Sequence, residues 1–265
     1  MFLLLGSIDC NASQSRYMEL ADSADYFINH ELWNKAEEKI YEALRLEPAN
    51  FNNALLLSNL GIVHTQKGEY EKALESYSLG LSISPSSTVI HNNRAKTYLI
   101  LEDYNAALQD IDISLEIDSI QEWPLQTKAL LLLQFNQTDL SKKFFESLRD
   151  NFPENSIAYS GLATIAAREG DVDEALRLYK IACEIDKDDE ETLCSYIFLL
   201  IETEKFSEAR SLLRNALSKN SDNPMFYLLR GYLSQLNHLL NEAQADKKIA
   251  IDKGLDPEYV KSFIP

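Results

Sequence analysis

Residues 54–87 read ALLLSNLGIVHTQKGEYEKALESYSLGLSISPSS, and the spacing of small residues in this stretch recurs along the chain of 265 residues. The period is 34 residues. With the first residue of each segment as position 1, position 20 is Ala in six of seven segments and Ser141 in the remaining one. A fixed period of this length is typical of repeat proteins. The predicted repeats are 17–50, 54–87, 88–121, 122–155, 156–189, 190–223 and 224–257.

Each repeat contains two apolar-periodic stretches separated by a short break, as at Gly68, and this pattern predicts a pair of antiparallel helices. Small residues also recur at positions 8 and 27, for example Gly61 and Gly80. Helices approach closely only where the contacting side chains are small. Positions 8 and 20 should therefore mark the crossing within a helix pair, and position 27 the crossing to the next pair.

The period and the residue types resemble the tetratricopeptide repeat (TPR) family, over residues 17–257. Repeat 2 carries the resemblance best, with Leu57, Leu60, Gly61, Gly68, Tyr70, Ala73, Tyr77, Gly80 and Pro85. The resemblance implies an all-α fold, an α-α superhelix (TPR solenoid) of seven helix-turn-helix repeats. Residues 1–16 are expected to form a separate N-terminal segment. Residues 258–265 are expected to form a capping helix in which Val260 and Ile264 cover the end of the array.

The composition argues against several classes of partner. The net charge is −17 and the pI is near 4.6, so the long-range field repels nucleic acid and anionic lipid headgroups. The acidic stretch at residues 186–191 lacks the glycine-bearing spacing of a calcium loop. We expect its carboxylates to stabilise the start of the following helix.

The N-terminus leaves two interpretations open. Residues 2–5 and Ile8 are apolar, but the stretch is too short to span a membrane. It resembles the end of a secretory signal, with Ala12 before a cleavage point, so residues 1–12 could be the remnant of a signal. We favour an exported protein, periplasmic or envelope-associated, over a cytoplasmic protein with a frayed N-terminus.

Residues that could carry chemistry are scattered. The histidines lack metal-ligand spacing, and no nucleophile or phosphate-loop motif occurs. Cys183 and Cys194 lie on helices that should be neighbours; they are either bridged or two buried thiols, and we favour the thiols. The sequence therefore predicts a protein that is not an enzyme and that has no metal and no cofactor.

The resemblance implies that the first helices of the repeats line a concave groove through positions 2, 5, 6, 9, 12 and 13. Amide side chains there both donate and accept hydrogen bonds, which suits an extended peptide. The alternative is that these amides bond only to neighbouring helices. The expected groove residues are Asn59, Asn92, Asn93, Lys96, Trp123, Gln126, Leu130, Phe198 and Tyr232.

One specialised use of such a groove is disfavoured. Relatives that hold a C-terminal carboxylate place Lys and Asn at positions 5 and 9, Asn at position 6 of the next repeat, and two cations in the third. Repeats 2 to 4 present Ser58, Ile62, Asn93, Gln126 and Leu130 at these places. A buried carboxylate needs more positive charge than this set supplies.

The leading functional hypothesis is an interaction scaffold that holds a peptide or helix of a partner protein, without small-molecule substrate. Two alternatives stay open. One is a secretion or assembly chaperone that shields an apolar client segment, and the other is a structural subunit of a larger envelope complex.

Overall fold

The structure is a computed structural model that describes the backbone of residues 2–264 and the side chains of residues 13–264. Within that range all regular elements are helices and none is a strand, so the all-α prediction is confirmed. The helices are α1 Phe2–Asn29, α2 Trp33–Leu46, α3 Asn53–Gln66, α4 Tyr70–Ile83, α5 Thr88–Ile100, α6 Tyr104–Ile117, α7 Glu122–Gln134, α8 Thr138–Asn151, α9 Ser156–Glu169, α10 Val172–Ile185, α11 Glu190–Glu202, α12 Phe206–Lys219, α13 Pro224–Leu236, α14 Leu240–Asp252 and α15 Pro257–Phe263.

The chain divides into two compact units, residues 1–131 and 132–265, with the border inside α7. Unit 1 contains the pairs α1–α2, α3–α4 and α5–α6, and unit 2 contains α9–α10, α11–α12, α13–α14 and the terminal α15. From α3 onward, each first helix begins 34 or 35 residues after the previous one. Helix α1 runs from Phe2 to Asn29 without a break at residue 16. The separate N-terminal segment and the exact repeat boundaries stay predictions.

The small residues lie at the predicted helix crossings. A Cβ atom added to Gly61 would overlap the ring of Tyr77 on the second helix of the same pair. A Cβ on Gly80 would lie 3.1 Å from the carbonyl oxygen of Ala54 and 3.2 Å from Cδ1 of Ile90, which belongs to the next pair. Position 8 thus serves the crossing within a pair, as predicted, whereas Gly80 at position 27 contacts both the first helix of its own pair and the next pair.

The turn between the two helices of a repeat contains a residue with a left-handed backbone conformation, which the residue types at that position do not indicate. Position 15 has positive φ in all seven repeats, at Glu31, Gly68, Glu102, Asn136, Gly170, Glu204 and His238, although only two of them are glycine. The following amide bonds back five residues, as from Asp103 to the carbonyl of Tyr98 at 2.9 Å. This bond closes the helix end and fixes the return angle of the second helix.

Two ion pairs with buried aspartates tie first and second helices together. Asp110 is 2% exposed and accepts from Nε and Nη2 of Arg94 at 2.7 and 2.8 Å. In α13–α14, Arg230 holds Asp246 in the same two-pronged way, at 2.9 and 2.7 Å. His91 lies between Asp110 and the carbonyl of Pro85, at 2.8 and 3.0 Å, so both of its ring nitrogens face oxygens of the fold.

The predicted C-terminal cap is confirmed. The Asp256 side chain accepts a hydrogen bond from the amide of Tyr259. This bond caps the start of α15, whose first residue is Pro257. Val260 and Ile264 are fully buried against Leu228 and Ala250. Because each repeat of such an array is stabilised mainly by its neighbours, α15 stabilises the last helix pair by covering its apolar face.

Replacing Glu102 with Gly should stabilise the protein by about 0.5–1 kcal/mol, because relief of left-handed strain outweighs the added chain entropy of glycine. The same substitution at the exposed Glu75, inside α4, should destabilise by about 1 kcal/mol. Urea unfolding of both variants measures the difference, and a loss of stability in Glu102→Gly would contradict the strain assignment.

Replacing Ile264 with Ala should lower the free energy of unfolding by about 2–5 kcal/mol, because it opens a cavity under the cap. The exposed neighbour Lys261 provides the control, since Lys261→Ala removes no buried contact. Equal unfolding midpoints for the two variants would show that the cap does not stabilise the array.

Candidate interaction surfaces

The expected groove residues of unit 1 lie on three successive first helices, α3, α5 and α7. We call this set the polar row, and all of its members carry side chains that are half-buried or exposed. It comprises Asn59, Asn92, Asn93, Lys96, Trp123, Gln126 and Leu130.

Two asparagines of the polar row bridge to the preceding first helix. Asn59 donates through Nδ2 to Oδ1 of Asp25 at 2.6 Å, and Asn93 donates through Nδ2 to Oγ of Ser58 at 3.3 Å. These partners lie 34 and 35 residues earlier, that is, one repeat back. Burial and nearby Asp22 raise the pKa of Asp25, an effect that the bond from Asn59 opposes. Both asparagines therefore help to set the spacing of the row.

Asn92 retains unused hydrogen-bonding capacity. Its Nδ2 donates to Oε1 of Gln121 at 2.9 Å, and Gln121 is itself held by the carbonyls of Ser114 and Asp118. Within residues 13–264, Oδ1 of Asn92 is buried and has no hydrogen-bond partner. A buried polar atom without a partner is costly to the stability of the fold.

The polar row ends in an aromatic platform on α7. Nζ of Lys96 lies 4.9 Å from the ring centroid of Trp123, which is cation–π distance. Gln126 is half-buried on the same helix, and Leu130 is 41% exposed. The platform offers an apolar surface beside a positive charge.

The expected residues omitted an apolar line that runs through the same first helices. Met18, Leu55 and Val89 are 48%, 56% and 54% exposed, and they occupy position 2 of repeats 1 to 3. Trp123 occupies the same position in repeat 4. Comparison of position 2 across all repeats would have revealed this line.

Unit 2 brings the remaining expected residues, Phe198 and Tyr232, into one aromatic cluster. Their rings stack at 6.3 Å, and Phe263 of α15 meets both edge-on at 6.0 and 5.5 Å. The Tyr232 hydroxyl donates to Oε1 of Glu202 at 2.7 Å, and this bond, followed by burial, raises the pKa of Tyr232 to about 12.

Beside the aromatic cluster lies a cleft of about 400 Å³. Phe198, Met225, Tyr259 and Phe263 contribute its apolar walls, and the exposed Glu191 lies at its rim. Sequence reasoning placed α15 as a cap but did not expect its aromatic side chains to join this surface, because their position depends on how α15 packs on α13.

The other candidate groups have structural roles in the described part of the chain. Asp189 of the acidic stretch caps α11 by accepting from the amide of Thr192 at 3.0 Å, as expected for a helix start. His64 is buried beside Ser76 and Glu37. Across the described residues no cluster of three metal-ligating side chains occurs, and no helix is long and apolar enough to cross a membrane. The interpretation of residues 1–12 as a signal remnant concerns side chains outside the described range.

Three models of the tetratricopeptide repeat family match the chain, at residues 56–85, 127–190 and 166–233. Together these matches cover just over half of the sequence. The chain belongs to the tetratricopeptide repeat family. Proteins of this family bind other proteins and are generally not catalytic.

Solved structures agree with this assignment. A tetratricopeptide repeat protein from Parabacteroides merdae is 25% identical and superposes with a TM-score of 0.68, over 94% of this chain and 98% of that chain. PilF of Pseudomonas aeruginosa is 17% identical, with a TM-score of 0.63, over 73% of this chain and 88% of that chain. The second similarity concerns the fold alone.

Curated relatives match over shorter stretches. Photosystem I assembly protein Ycf3 of Cyanophora paradoxa is 32% identical over 80 residues, which are 30% of this chain and 46% of the relative. Ycf3 of Rippkaea orientalis is 38% identical over 64 residues, 24% of this chain and 37% of the relative. This chain thus aligns with less than half the length of these relatives.

The two described cysteines, Cys183 and Cys194, are free thiols. Burial, reinforced by neighbouring carboxylates, raises the pKa of Cys183 to about 11 and that of Cys194 to about 12. Iodoacetamide at pH 8 should therefore label them at least about a hundredfold more slowly in the native protein than in urea. Mass spectrometry of native and unfolded samples measures the rates. A mass two protons lower without reductant, or fast native labelling, would contradict the assignment.

Proposed function

We propose that this protein is a non-catalytic scaffold that holds a segment of a partner protein along the first helices of its repeats. The observation that carries the proposal is the polar row of unit 1, where asparagines and the Lys96–Trp123 platform follow one another from α3 to α7. Family membership supports the scaffold role, and the contacts along the row support its location.

The chemistry of the row favours an extended segment. A peptide backbone presents alternating donors and acceptors, which amide side chains can pair. The exposed Leu55 and Val89, with Trp123, would accept apolar side chains of the partner, since alternate side chains of an extended peptide point to one side.

Unit 2 would supply a separate apolar contact. Its cleft beside Phe198 and Phe263 has a volume suited to one or two large side chains, and Glu191 at the rim favours a basic neighbour. Buried aromatic anchors of this kind contribute much of the binding energy at protein interfaces.

An assembly factor is the second candidate. Two curated relatives are named as photosystem I assembly proteins, and a chaperone for a subunit would also need exposed apolar residues on a stable array. Under this alternative, the partner's apolar segment is shielded only until it reaches its complex. A structural subunit that uses its second helices is the third candidate, favoured by the 50% exposed Leu79 on α4.

The double variant Lys96→Ala, Trp123→Ala should reduce partner capture at least about tenfold, because it removes the platform at the end of the row. Affinity capture with crosslinking from the native host, followed by mass spectrometry, measures both the partner and its contact residues.

Leu79→Ala is the matched control, since it truncates an exposed apolar residue on a second helix of the same unit. Unchanged capture by the double variant would refute the polar row as the binding face, and loss of capture in Leu79→Ala would favour the structural-subunit role. Circular dichroism confirms that both variants remain folded.

A further inference from the structure

A cation at position 7 of a repeat is paired with an oxygen of the preceding second helix in unit 1. Arg94 donates through Nη1 to Oγ of Ser78 at 3.2 Å, in addition to its bonds to Asp110. Nζ of Lys128, the position-7 residue of the next repeat, lies 2.6 Å from Oδ1 of Asp112. Ser78 and Asp112 both occupy position 25. Position 25 therefore supplies the acceptor for the position-7 cation.

The last repeat of unit 2 lacks this acceptor at position 25 of the preceding repeat. Arg230 is the position-7 residue of the last repeat and binds Asp246 as Arg94 binds Asp110. Position 25 of the preceding repeat, however, is Arg214, and position 21 is Arg210. Repeat 6 is the one repeat with a cation at both positions. A second cation thus stands where repeats 2 and 3 provide an acceptor.

The three arginines line a cleft of about 420 Å³ between α12 and the α13–α14 pair. Within the described residues, no carboxylate oxygen lies within ion-pair distance of Arg210 or Arg214, whereas Arg230 is held by Asp246. Glu242 is the carboxylate residue in the lining itself. Three guanidinium groups against two carboxylates leave one net positive charge, in a chain whose net charge is −17.

Apart from Ser234, the rest of the lining is aliphatic. Four leucines form this aliphatic part, and among them Leu233 is 3% exposed and Leu239 is 43% exposed. They are Leu213, Leu217, Leu233 and Leu239. The cleft thus joins an unpaired positive charge to an apolar wall that is open at one side.

We infer that this cleft binds the carboxylate of an Asp or Glu in a partner peptide, with an adjacent aliphatic side chain against the leucines. A carboxylate would restore the acceptor that Ser78 and Asp112 supply in unit 1. The planar guanidinium fork matches a carboxylate, and one net positive charge suits a monoanion better than a dianionic phosphate. This site is independent of the polar row.

The blocked tripeptide acetyl-Leu-Glu-Leu-amide is the probe, and acetyl-Leu-Gln-Leu-amide is its neutral match. Titration of the full-length protein, followed by the Nε–Hε signals of arginine in NMR spectra, should shift Arg210, Arg214 and Arg230 with the glutamate peptide only. Equal shifts with both peptides, no shift with either, or tighter binding of phenyl phosphate would overturn the carboxylate assignment.

Arg214→Ser recreates the residue type that unit 1 has at Ser78. It should weaken binding of the glutamate peptide at least about tenfold, because a charged hydrogen bond is lost. It should leave the melting temperature of the free protein unchanged, because Arg214 has no ion-pair partner within the described residues.

Lys180→Ser is the matched control, since Lys180 is exposed and occupies position 25 of the preceding repeat. It should leave binding of the glutamate peptide unchanged. Equal loss in the two variants would mean that only the overall charge matters, and a lower melting temperature of Arg214→Ser would mean that Arg214 supports the fold. Either result would overturn the proposal.

Discussion

The structure depends on one steric constraint, the absence of side-chain volume where two helices cross. Gly61 has no room for a Cβ atom beneath the ring of Tyr77, and the alanines at position 20, such as Ala36 and Ala107, are completely buried. Packing at this distance lets one large residue fill the interior on each side of the crossing. Because each pair depends on the same few positions, the crossing repeats along each unit with little further requirement on the sequence.

Because only a few positions of each repeat are restricted to small residues, the surface positions can differ between repeats. They differ between the two units. In unit 1 the first helices carry amides that bond from one repeat to the next, and the row ends at Trp123. In unit 2 the corresponding helices carry Phe198 and Tyr232, which are completed by Phe263 of α15. One backbone design thus supports a polar surface and an aromatic surface in the same chain.

Buried charge is the second theme of the packing. Asp110 and Asp246 are nearly inaccessible, and each is satisfied by two nitrogens of one arginine. Breaking such a pair leaves a buried charge without compensation, which is far more costly than never burying it. The two pairs therefore fix the orientation of their helices, and they direct the free side of each guanidinium toward the preceding repeat. At Arg94 that side finds a hydroxyl, and at Arg230 it faces a cleft.

The sequence alone determined the helix pairs, their period, the crossing residues and the cap, because these follow from short-range periodicity and from side-chain size at fixed positions. It also selected surface residues by position, including Asn93, Trp123 and Phe198. The tertiary structure decided what each of them contacts: Asn93 meets Ser58 one repeat earlier, Phe198 meets Phe263 of the cap, and Arg214 shares a cleft with Arg230. It also decided that Glu102 adopts a left-handed backbone conformation, since that is imposed by the return of the second helix and not by the preference of the residue. Contacts between residues a full repeat apart depend on how the helix pairs stack. The local sequence pattern does not determine that stacking geometry, so it does not predict these contacts.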